Sequence, residues 1–99
     1  MAARAAVASA DHQRIDKWLW HARMVRTRSA AAALVAAGHV RVNGARLTAP
    51  GHAVRRGDVL TLALDRSVRV IRVENFCERR GGPQRARDLY RSLASERAI

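Results

Sequence analysis

Four consecutive residues, Arg26-Thr27-Arg28-Ser29, carry the most suggestive chemistry in this 99-residue chain. They stand where a helix begins, and that helix runs through Ala37 with Ala31, Leu34 and Val35 facing inward. The first amides of a helix have no intrahelical acceptor and lie at the positive end of its dipole, so such an end attracts a phosphate. Two guanidinium groups and two hydroxyls placed there sharpen the preference. Thr27 can also serve as the N-cap, its hydroxyl accepting from a first-turn amide. A capped helix with solvated arginines is the plainer reading. The two are compatible, and both are expected together.

Two further groups of residues belong with this cluster. Asn43-Gly44 is a strong hairpin signal. A two-residue turn there sets Val40 opposite Leu47 and Arg41 opposite Arg46. Like charges directly across a pair destabilise by roughly 0.2–1 kcal/mol, an arrangement that makes sense where an anion bridges them. A register shift of one residue would remove that inference. The other group lies on an earlier helix, where Ile15, Trp18, Leu19 and Ala22 recur as an apolar stripe. Lys17, Trp20 and Met24 face the other way, with Arg14, Asp16 and Arg23 nearby. Trp18 reads as core. Trp20 either stacks on a base, worth about 1–3 kcal/mol, or packs under the C-terminal helix or the N-terminal tail.

Charge supports a polyanionic partner. Nineteen basic residues face eight acids, for a net charge of +11. A fold does not need that excess and self-repulsion makes it costly. The excess is uneven, because residues 14–46 hold seven basic side chains and only Asp16 against them. Arginine outnumbers lysine, which suits forked phosphate contacts.

Catalytic groupings are missing from the pattern: no Ser/His/Asp set, paired carboxylates or glycine-rich phosphate loop, so no enzymatic activity is expected. Cys77 is the only cysteine and the four histidines have no ligand-like spacing, so neither metal nor cofactor is expected. The opening MAARAAVASA ends in an A-x-A-like pattern but lacks a leucine-rich run, and no stretch approaches membrane-spanning length. A cytoplasmic protein with no membrane partner and no small-molecule substrate is the expectation.

The elements that must position these residues follow from periodicity and turn signals. After the two short N-terminal helices and the hairpin, Arg56-Gly57-Asp58 turns into a strand with Leu60, Leu62 and Leu64 on one face. Residues 68–73, VRVIRV, form the next strand, and their alternation slips at Val70-Ile71, the mark of a bulge or of two-sided burial. Gly81-Gly82-Pro83 breaks the chain before a final amphipathic helix carrying Ala86, Leu89, Tyr90 and Leu93. Arg79-Arg80 read as further RNA contacts, Arg85, Arg87 and Arg91 as a solvated helix face. The fold class is α+β, with a small antiparallel sheet. Residues 1–13 read as a tail, 14–73 as the domain and 74–99 as a basic C-terminal segment with its helix.

The motifs R-I-D-K-W-L-W (14–20), A-R-M-V-R-T-R-S (22–29), A-x-x-L-V-x-x-G-H-V-R-V-N-G (31–44), a proline at 50 and V-R-R-G-D-V-L (54–60) resemble, in order and spacing, the S4-like RNA-binding domain, or αL motif. The likeness runs from Arg14 to about Leu64. D-K-W-L-W followed by T-R-S is most similar to the bacterial ribosome-associated heat-shock branch of that family, whose members carry a longer basic C-terminal extension. The resemblance implies binding of ribosomal RNA on large ribosomal subunits that still hold peptidyl-tRNA, in the rescue of stalled translation. It places the RNA contacts at Arg14, Lys17, Trp20, Arg23, Arg26, Thr27, Arg28, Ser29, Arg41 and Asn43, to which the hairpin register adds Arg46. Two competing functions are a DNA-binding helix–turn–helix regulator and a ribosome-docking interaction module. The second helix lacks the long polar side chains that read base edges, which disfavours DNA.

Overall fold

The structure, a computed structural model, describes residues 11–97. Most of the tail expected at the N-terminus therefore lies outside the described residues, but its end does not. His12–Arg14 form a strand (β1) that pairs antiparallel with Ala53–Arg55 (β4), His12 opposite Arg55. Three-residue strands are too short to show alternation, and their pairing across some forty residues of chain leaves no local signal.

Helix α1 spans Ile15–His21 and α2 spans Arg28–Ala36. Both end in the same way. At α2 the Gly38 amide donates to the Val35 carbonyl and the His39 amide to that of Leu34, with Gly38 at φ +82°. This is the Schellman closure that glycine favours. At α1 the equivalent left-handed position is Arg23, at φ +59°, with its amide on Trp20 and that of Met24 on Leu19. A non-glycine residue there carries backbone strain. The Arg23 Nε donates to the Gly81 carbonyl at 2.9 Å, so the strained residue is tied to the C-terminal segment.

The main sheet has five strands in the order β3-β2-β5-β6-β7. Val40–Val42 (β2) and Ala45–Leu47 (β3) make the hairpin, with Arg41 opposite Arg46, and Asn43 and Gly44 both at positive φ. Val59–Ala63 (β5) pairs with β2 and with Ser67–Val73 (β6). One face of this sheet is covered. Val40, Leu60, Leu62, Ile71 and Val73 are fully buried with Ile15, Trp18 and Leu19 of α1 and Ala31 and Val35 of α2, in a single core. Burying such aliphatic and aromatic side chains is the main source of stability in a domain of this size.

The C-terminal helix is shorter than its apolar spacing predicts. It is confined to Pro83–Arg87 (α3), and Tyr90–Arg97 continue as an edge strand (β7) paired with β6. Ala86, Leu89, Tyr90 and Leu93 mimic a helical stripe, but β6 presents an open row of backbone donors and acceptors. Pairing with that edge satisfies residues 90–97 without a helix. The slip at Val70-Ile71 appears as a register shift, Val70 facing Ala94 and Ile71 facing Ser92. The extra residue is Leu93, the one large apolar side chain among the described residues that stays exposed, at 47%.

Candidate nucleic-acid interface

The opening turn of α2 is solvent-facing: Arg26, Thr27, Arg28, Ser29 and Ala30 are all exposed. The Thr27 hydroxyl accepts from the Ala30 amide at 3.0 Å, and the Thr27 carbonyl accepts from Ala31. The two preceding amides, of Arg28 and Ser29, have no acceptor available within the helix. They point from the positive end of the nine-residue dipole toward solvent.

Beside this turn, Asp16 on α1 acts as a brace. Its side chain is only 5% exposed, yet it accepts from Arg14 through both oxygens, Nε to Oδ1 at 3.1 Å and Nη2 to Oδ2 at 2.9 Å. The Arg28 Nη2 lies 3.7 Å from the same carboxylate, and the Lys17 amide donates to it at 2.7 Å. Burial alone would raise the Asp16 pKa. The Arg14 hydrogen bonds, the Lys17 amide and the two guanidinium charges outweigh it and hold the carboxyl below its ordinary value. One acid thus fixes two arginines from different elements, both guanidiniums remaining about half exposed. A lone acid among seven bases was the only hint of this role in the sequence.

Under the same face lies His21, almost fully buried, with its Nδ1 lacking a partner among the described residues. Burial, helped by the charges of Lys17, Arg28 and Arg80 and opposed by the Cys77 backbone, pushes its pKa down and keeps the ring neutral.

Trp20 is half-buried, and the Arg80 guanidinium sits 5.5 Å from its ring centroid. Arg80 therefore packs against one face of the indole, and the ring stays partly accessible. The Arg80 Nε also donates to the Trp20 carbonyl at 2.9 Å, closing the end of α1. Arg80 thus acts as a strut at the end of α1, a role that its reading as an RNA contact did not include. No local pattern marks a contact sixty residues apart. The Trp18 indole likewise donates to the Asn75 carbonyl at 2.9 Å, from a fully buried ring.

The structure does not gather every residue expected at the site. Arg14, Lys17, Arg26, Thr27, Arg28 and Ser29 lie together across α1 and the start of α2. Arg23 is exposed beside the Gly81 carbonyl it holds. Asn43 is spent on the neighbouring turn, its Nδ2 donating to Asp58 at 3.2 Å and its Oδ1 accepting from the Val59 amide at 2.9 Å. Arg41 and Arg46 are exposed; alternation with buried Val40 starts both on the sheet face opposite α1 and α2, and the Arg46 side chain then runs along Gly38 at the end of α2, its Cδ 3.4 Å from where a Cβ there would stand. Among the described residues no group of three or more His, Cys, Asp or Glu side chains could hold a metal ion.

A helix pair with a basic, exposed second N-terminus, set on an antiparallel sheet, defines an S4-type RNA-binding domain, and residues 13–60 match the S4 domain. The chain is 39% identical over 77 residues to the heat shock protein 15 homolog of Aeromonas salmonicida, covering 78% of this chain and 58% of that protein. It is 36% identical over 81 residues to heat shock protein 15 of Escherichia coli, covering 82% and 60%. It therefore spans about three fifths of the length of these curated relatives. The trimeric structure of Vibrio cholerae heat shock protein 15 superposes with a TM-score of 0.79 at 38% identity, over 85% of this chain and 84% of that one. The chain belongs to the heat shock protein 15 family of S4-domain proteins.

Proposed function

We propose that this protein binds structured ribosomal RNA without catalysing a reaction, through the face formed by α1 and the opening turn of α2. The observation that carries this reading is the exposed first turn at Arg26–Ser29, flanked by arginines that Asp16 holds in place. Unpaired amides, a helix dipole and oriented guanidiniums are complementary to phosphate oxygens. A-form RNA is recognised mainly by shape and by backbone contacts of this kind. Small side chains on the outer face of α2, at Ser29, Ala33 and Ala36, let a bulky backbone approach closely.

The resemblance to the ribosome-associated branch directs the proposal to the large ribosomal subunit carrying peptidyl-tRNA, with a role in rescuing or recycling stalled nascent-chain complexes in the cytoplasm. Two measurements test the reading. Binding to purified large-subunit rRNA should weaken with salt at a log–log slope near −3.5 to −4.5, as expected if about five phosphates are neutralised. A slope near zero removes the electrostatic basis. In sucrose gradients the tagged protein should travel with large subunits. Migration with small subunits, or with no ribosomal particle, overturns the ribosomal assignment.

A further inference from the structure

We propose that the open face of the five-stranded sheet, on the side away from α1 and α2, is a second contact for the RNA phosphodiester backbone, carried by Arg72 and Arg91 together with Arg41 and Arg46. This rests on the RNA-binding reading above and adds a surface that the helices do not supply.

Ladder register places the four arginines on one face. Arg46 lies opposite Arg41, Arg41 opposite Thr61, and Thr61 opposite Val70. Val59, two residues from Thr61, lies opposite Arg72, which in turn lies opposite Arg91. Directly paired residues, and residues two apart on a strand, project from the same side. Every fully buried sheet residue is on the other side. Val59, Thr61, Val68 and Val70 are only half-buried, so no described element covers this face.

Two like-charge cross-strand pairs on one uncovered face work against the fold. Compensation within the protein is partial. Arg72 donates from Nε to Glu74 at 2.7 Å. Among the described residues Arg41, Arg46 and Arg91 form no ion pair. Strand spacing sets the two pairs roughly 14 Å apart across the sheet, three intervals of about 4.8 Å, and the register offsets them by two further residues along the strands. A single small anion cannot bridge that gap, whereas a chain of phosphates can. The low floor of Val59, Thr61 and Val70 between the pairs offers no obstruction. A second copy of this chain would bring four arginines against four arginines, and such juxtaposition disfavours association. The fit is to an extended polyanion.

The test uses the full chain with the double variant Arg72→Gln/Arg91→Gln and purified large-subunit rRNA as the probe. Loss of two phosphate contacts should make the salt slope shallower by about 1.4–1.8, with the melting temperature unchanged or raised. Arg72→Lys/Arg91→Lys, which keeps the charge, should restore most of the slope. An unchanged slope in the Gln variant overturns the proposal, as does an unchanged slope accompanied by a shift in oligomeric size, which would make the face an interface between copies. The variant Arg26→Ala/Arg28→Ala, run in parallel, separates the two ideas. If it weakens binding while Arg72→Gln/Arg91→Gln does not, the helical site stands and the sheet face falls. If neither alters binding, the RNA-binding reading fails together with this one.

Discussion

The arginines of the helical face and those of the hairpin are the same residue type in opposite circumstances. Arg14 and Arg28 converge on the buried carboxylate of Asp16, which positions their guanidiniums before any ligand arrives. Arg41 and Arg46 face each other across the ladder, and among the described residues the Gly44 carbonyl, 3.4 Å from Arg41, is the pair's one hydrogen-bond partner. Preorganisation lowers the entropic cost of binding. It also cancels part of the positive charge. The unbraced pair keeps its full charge but must be ordered by the ligand. The helical face is thus suited to fixing orientation, and the hairpin to adding electrostatic affinity.

The largest expected effect comes from removing the exposed guanidiniums at the turn itself. Arg26→Ala/Arg28→Ala should weaken rRNA binding at least about tenfold and reduce the salt slope. Its melting temperature should stay close to that of the parent, because the half-exposed Arg28 reaches Asp16 only at 3.7 Å and that carboxylate keeps its shorter bonds to Arg14 and the Lys17 amide. Parallel loss of binding and folding would show that these residues hold the domain together instead.

Next comes the brace. Asp16→Asn should cost about 1–3 kcal/mol of stability in urea unfolding, since charge-assisted hydrogen bonds to Arg14 and the Lys17 amide are lost. It should also weaken RNA binding despite raising the net charge. Tighter binding of Asp16→Asn would refute the bracing role. The Asp16 pKa is depressed, so its contribution is fully present above the ordinary carboxylate pKa of 3.8 and is lost as pH falls through the folded value. Asp16→Asn should flatten acid unfolding in that window.

A smaller effect lies beneath the same face. The His21 pKa is also depressed, so the neutral ring favours the fold above the ordinary value of 6.5, and that contribution is lost as pH falls through the folded value. Unfolding free energy measured between about pH 7.5 and 5 should therefore decline on acidification, and His21→Gln should remove that part of the decline. A pH-independent difference between parent and variant would indicate packing alone.

The smallest change tests the unbraced pair. Arg41→Gln should stabilise the free protein by roughly 0.2–1 kcal/mol while weakening RNA binding several-fold. Destabilisation would mean that Arg41 supports the hairpin and is not held there for a ligand.

Local chemistry alone was enough to predict the α1 stripe, the Thr27 cap, the Gly38 helix end and the Asn43-Gly44 turn. Each depends on contacts within a few residues, and the motifs from Arg14 to Leu60 carried the family resemblance. Tertiary structure decided what long-range pairing controls. Residues 90–94, helical by spacing, became part of a strand because the edge of β6 offered backbone partners. Arg80, which the sequence offers only as a further RNA contact, also serves as a strut because its guanidinium reaches the carbonyl at the end of α1. Only the sheet could show that Arg91 stands beside Arg72, or that Arg41 projects away from the helices, since pairing register is absent from any single strand.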